Sequence, residues 1–159
     1  MASVDNLFVT VSVFGLAIAF LVILVFWGSV TTDASAIFDA TSEGQQIQNN
    51  AQGVMDNLDN LFIIVFFAFH LGTLILAFAL RTHPIVYVAG ILIVAILAII
   101  AAPLSNTYED VISDPVFASS AATLPNTTFV MANLPSFEVA FGFVTIIILA
   151  GLAKLEDII

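Results

Sequence analysis

One ionisable side chain lies in the middle of a long apolar run: His70, within LFIIVFFAFHLGTLILAFAL. A titratable group in such a setting is a functional suspect, because hydrocarbon offers its charged form no water. A haem held by two histidines requires a second ligand at similar depth, and His83 falls at the edge of the run. A proton relay requires Asp, Glu or Lys at depth, and none falls deep within an apolar block. His70 is therefore expected to be a neutral ring, bonded to a neighbouring helix carbonyl or to a hydroxyl such as that of Thr73.

The remaining candidates are weaker still. Asp33, Asp39, Glu43, Asp56, Asp59, Glu109, Asp110 and Asp114 supply oxygen atoms suited to calcium or magnesium, but no EF-hand spacing organises them. Solvated acidic faces are the expectation. Glu109-Asp110 has no histidine or nucleophile nearby in sequence, which leaves paired-carboxylate catalysis unsupported. Glu138 follows Ser136 and reads as a carboxylate favouring a helix N-terminus. Thr10, Ser12, Thr73 and Thr145 would be the polar lining of an oligomeric pore, yet they share no face legible from spacing. Phosphate loops, Ser-His-Asp arrangements and metalloprotease motifs are absent. The expectation is a protein that is not an enzyme, with no catalytic, cofactor-binding or metal residues and no cofactor.

The chain has 159 residues, of which 61% are hydrophobic and only 9% charged. Soluble domains carry about a quarter charged residues, so scarcity of charge is the decisive anomaly. Cysteine is absent, which excludes disulfides, cysteine-zinc sites and iron–sulfur ligation. The net charge of −10, from twelve acids against two basic residues, disfavours direct contact with nucleic acid. An acidic, lysine-poor surface suits high salt, where self-repulsion is screened. The first apolar run is too long, and its leader too poor in basic residues, for a cleavable signal peptide.

Those features call for an all-α integral membrane protein: a single domain over 1–159 with four transmembrane helices. The spans fall at about 7–27, 61–80, 85–102 and 137–153, each near the length that crosses a bilayer. Asp5 or Asn6 is placed to cap the first, Arg81-Thr82-His83-Pro84 forms the turn between the second and third, and Ser136 caps the fourth. The segment 103–135, with Pro103, Pro115, Pro125 and Pro135, is expected to be an irregular loop.

The polar segment 28–60 is different. Ile37, Ala40, Gly44, Ile47, Ala51, Val54, Leu58 and Leu61 recur at spacings of three and four, which predicts a helical extension running unbroken into the second span. Its apolar seam needs a partner helix, a second copy or a membrane surface. Arg81 and Lys154 would lie on one side of the bilayer, and positive-inside logic puts both termini inside and segments 28–60 and 103–135 together outside. The sequon Asn126-Thr127-Thr128 would then be open to glycosylation. The functional expectation is a structural or assembly subunit in a cell membrane or a viral internal membrane. Its partners would be lipid and either further copies of itself or other membrane or capsid subunits, as in a lipid-containing virion of a halophilic host. A holin-like pore and an accessory subunit of a respiratory or transport complex are the alternatives.

Overall fold

The computed structural model describes residues 2–79 and 85–156, and every regular element among them is a helix. The order is α1 (Ala2–Asp33), α2 (Ser35–Asp39), α3 (Ser42–Asp56), α4 (Leu58–Ala79), α5 (Ile85–Ser113), α6 (Pro115–Ala121), α7 (Pro125–Ala132) and α8 (Leu134–Glu156). Three stretches are long and apolar enough to cross a membrane: Leu7–Asp33, Ser42–Ile75 and Ile91–Ser113. A fourth arises if α7 and the start of α8, bent by 71° at their junction, count as one broken span. The turn 81–84, with Arg81, lies outside the described residues, whereas Lys154 belongs to α8.

The core is built where these helices meet. Val13, Ala17 and Leu21 of α1 are buried with Phe62 and Phe66 of α4, Ala101 and Tyr108 of α5, Val130 and Met131 of α7, and Leu134 of α8. Phe66 is the hub of an aromatic cluster, edge-on to Phe137 at 5.5 Å and to Phe141 at 6.0 Å. Such edge-to-face geometry directs the positive ring edge at a negative ring face. α5 and α8 pack tightly at Gly142, where a Cβ would overlap the methyls of Val94, with Cγ1 at only 2.8 Å. Outside this core Phe8, Ile75, Ile99 and Ile147 remain about 70% exposed. Bare apolar side chains in such number suit a lipid surround and are costly in water.

The helical extension is present but interrupted twice, where spacing predicts an unbroken rod. The first break is at Ala40-Thr41. Thr41 turns to extended backbone, and its Oγ1 accepts from the Gly44 amide at 3.0 Å, capping α3. The chain folds so tightly there that a Cβ on Gly44 would sit 2.6 Å from the Phe38 carbonyl oxygen. Asn57 makes the second break, its Nδ2 donating to the Gly53 carbonyl at 2.6 Å. A side chain that bonds its own backbone competes with the helical ladder, which is why the seam pattern alone does not reveal these breaks.

Segment 103–135 is helical, against the expectation of an irregular loop. α5 runs through Pro103 to Ser113. Pro115 and Pro125 stand at helix starts, where the missing N–H costs nothing. Asp114 caps α6, accepting from the Val116 amide at 2.8 Å. Two expected caps are also displaced, because α1 already contains Asp5 and Asn6, and α8 begins at Leu134, before Ser136. Propensity rules place proline at helix boundaries, but only packing decides how many helices lie between the boundaries.

Candidate functional site

His70 lies twelve residues into α4, about 18 Å along its axis, and it is 3% exposed. Its Nδ1 is 2.9 Å from the Phe66 carbonyl oxygen. A carbonyl only accepts, so Nδ1 carries the hydrogen and Nε2 is the basic nitrogen of the neutral ring. The ring is held between Phe66, centroids 4.4 Å apart, and Phe141, at 4.2 Å. Nδ1 thus finds a carbonyl partner, on α4 itself and not on the neighbouring helix that was expected.

Nε2 does not. It points toward Glu138 of α8, 3.6 Å from Oε1, and has no hydrogen-bond partner among the described residues. Glu138 itself is buried and accepts from Thr10 Oγ1 of α1 at 2.8 Å. Glu138 is therefore not the exposed N-terminal carboxylate its position suggests. α8 starts four residues earlier, and the bend after α7 carries it into the bundle beside α4 and α5, with Glu138 in reach of Thr10 of α1. A carboxylate does lie at the level of His70, contrary to the expectation that none would.

A cavity of about 10 Å³ opens beside the pair, room for roughly one water molecule. Thr73 and Thr145 contribute its other polar atoms, and Val9, Leu97 and Phe141 close it. Both hydroxyls already donate within their own helices, Thr73 to the His70 carbonyl at 2.7 Å and Thr145 to the Phe141 carbonyl at 2.8 Å. They face the cavity as acceptors. Thr73 and Thr145 thus meet at one cavity from two helices, and Thr10 reaches the site through Glu138, whereas neither Thr10 nor Ser12 of α1 lines the cavity itself. The sequence signal was faint. Glu138 and Thr145 are seven apart, which puts them on one helical face with Phe141 and Gly142 between.

A second buried acid organises the opposite part of the fold. Asp59, in the first turn of α4, is 6% exposed. Its Oδ2 accepts from the Asn126 amide at 3.0 Å, and its Oδ1 accepts from the Thr127 amide at 2.7 Å and from Thr127 Oγ1 at 2.8 Å. A residue sixty-seven positions away in sequence therefore caps α7, whose own N-cap, Leu124, has no side chain able to do so. The anion also complements the positive end of that helix. Nearby, Ser105 Oγ donates to the Ala132 carbonyl at 3.1 Å, and Tyr108 Oη lies 3.4 Å from Thr128 Oγ1. The sequon residue Asn126 is exposed, but it stands in the first turn of α7 with its amide held by Asp59.

Of the seam, Ile37 is 73% exposed, Ile47 and Val54 are each 60% exposed, and Leu61 is exposed as well. Ala40 is also open, and Gly44 and Ala51 are half-buried. Only Leu58 enters the core. α3 touches the bundle through Met55, packed against the core, and through Gln52, whose Oε1 accepts from Trp27 Nε1 at 3.2 Å. No group of three metal-binding side chains occurs among the described residues. No protein-family model matches this chain, and neither a curated protein nor a solved structure is similar to it.

Proposed function

We propose that this chain is a non-enzymatic assembly subunit of a membrane-embedded complex, formed with further copies of itself or with other membrane or capsid subunits. One observation carries the reading. α2 and α3 expose Ile37, Ile47 and Val54 while the rest of the bundle packs without them. An amphipathic helix is stable chiefly through burial of its apolar face, so a face left open within the chain is one that a neighbour would cover. The acidic composition favours a high-salt setting, and a lipid-containing virion of a halophilic host is the assembly proposed within this class.

The proposed orientation has both termini inside and segments 28–60 and 103–135 outside. Arg81 and Lys154 support it through the positive-inside rule. So do the Asp59 bonds to Asn126 and Thr127, which join the two segments at one end of the bundle.

Substitution of the seam tests the assembly role. Val54→Asp and Ile47→Asp alter exposed positions and are expected to abolish oligomer or partner retention while helix content and melting temperature stay at wild-type values. Leu58→Asp is unsuitable, since Leu58 is 7% exposed and belongs to the core. Unchanged retention in both exposed variants defeats the proposal. Ion conductance of the purified chain in planar bilayers would instead favour the pore.

A further inference from the structure

Neutral His70 and ionised Glu138 cannot hydrogen-bond as placed: with Nδ1–H committed to Phe66, Nε2 presents a lone pair to a carboxylate oxygen. Two lone pairs facing each other in a buried site repel, and each group has been stripped of water. A single proton between them removes the conflict. We propose that His70 and Glu138 form a buried proton-binding site, with one proton shared between Nε2 and Oε1 and the adjoining cavity admitting the water that delivers it.

The shared proton then gives Nε2 the partner it lacks. Nδ1–H donates to the Phe66 carbonyl, Thr10 Oγ1–H donates to Glu138 Oε1, and the shared proton lies between Oε1 and Nε2. Its two positions balance: Oε1–H with a bare Nε2, or carboxylate with Nε2–H⁺, and the pair is neutral overall in both. Removing the proton to water leaves a buried negative charge, and adding a second leaves a buried positive one. Each costs solvation that the site does not return. Among the described residues no other titratable group lines the cavity. The faces turned to the cavity by α1 and α5 are apolar, Val9 and Leu97, and α4 and α8 add only Thr73 and Thr145 besides the pair. Asp59 is eleven residues up α4 and engaged with α7. A closure of about 0.7 Å would bring the 3.6 Å separation to charge-assisted hydrogen-bond length, and the cavity is a space into which the side chains can adjust.

The site is independent of the assembly role and is tested on the full chain in lipid nanodiscs. His83→Gln leaves His70 as the sole histidine, so nitrogen-15 NMR of a histidine-labelled sample reads its two ring nitrogens directly. Infrared difference spectra of the same sample read whether Glu138 is carboxyl or carboxylate. At neutral pH we expect a directly bonded hydrogen on Nδ1 and one proton in total on Nε2 and Glu138. Glu138→Gln should remove the Glu138 band, whether carboxyl or carboxylate, and shift the Nε2 resonance, because the amide donates where the shared proton was. Thr10→Val should shift the carboxyl vibration without losing the proton. An Nε2–H tautomer with Nδ1 bare, a carboxylate beside an unprotonated ring, or two protons on the pair would each overturn the inference.

Discussion

Replacing Asp59 with Asn separates the carboxylate's charge from its shape. In the wild type three donors converge on two oxygens: the Asn126 amide on Oδ2, and the Thr127 amide and hydroxyl on Oδ1. Asparagine keeps one oxygen, which can stay with Thr127. Its NH₂ must then face the Asn126 N–H, donor against donor. One bond to a charged acceptor is lost outright, at roughly 1.5–3 kcal/mol, and the other two lose their charge assistance. The favourable interaction of an anion with the start of α7 adds a few tenths to 1 kcal/mol. We expect Asp59→Asn to destabilise the fold by about 2–3 kcal/mol. For a chain of this size that lowers the melting temperature by roughly 5–10 °C.

Circular dichroism in detergent micelles measures the shift, and Asp110→Asn, at an exposed position, serves as the reference with a change expected within about 0.5 kcal/mol. Amide exchange gives the local readout. Protection at Asn126 and Thr127 should fall before protection in α8, because the cap is lost before the bundle opens. A variant that melts with the reference and keeps both amides protected refutes the reasoning, since it would mean that α7 does not depend on a cap supplied by α4.

Gly142→Ala forces a methyl into Val94, whose branched side chain has little rotamer freedom within a helix; the expected loss is about 1–3 kcal/mol, read by the same thermal melts, with recovery in Gly142→Ala/Val94→Ala. Orientation is checked by single cysteines, since the chain has none of its own: Ser42→Cys should react with an impermeant reagent applied to intact membranes and Thr82→Cys should not, and the reverse pattern inverts the proposed topology.

Hydropathy alone was enough to establish an all-helical chain with several membrane-length apolar helices. Runs such as 85–102 contain no charge to satisfy, and a backbone in hydrocarbon must bond to itself. The α3 helix was legible too, because spacings of three and four over Ile47, Ala51 and Val54 have one structural meaning. The breaks at Thr41 and Asn57 were not, because a cap is a local bond between a side chain and its own backbone that the seam pattern does not report. Pro115 and Pro125 stand at the starts of α6 and α7, helices that the expectation of an irregular loop missed, and Pro103 misled, since packing holds α5 helical through a residue that propensity would make a stop.

The two buried acids were the least readable. Nothing near Asp59 in sequence announces that its partners are Asn126 and Thr127, and nothing near Glu138 announces His70 and Thr10. Composition and periodicity describe one helix at a time, and they place a carboxylate two residues after the expected cap Ser136 at the exposed end of its helix. Whether that end meets water or the interior depends on the 71° bend between α7 and α8 and on which helices lie beside it. That is a property of contacts between distant segments, so tertiary structure alone decided that, among the acids it describes, Asp59 and Glu138 are buried and hold the fold together while the others are solvated charges.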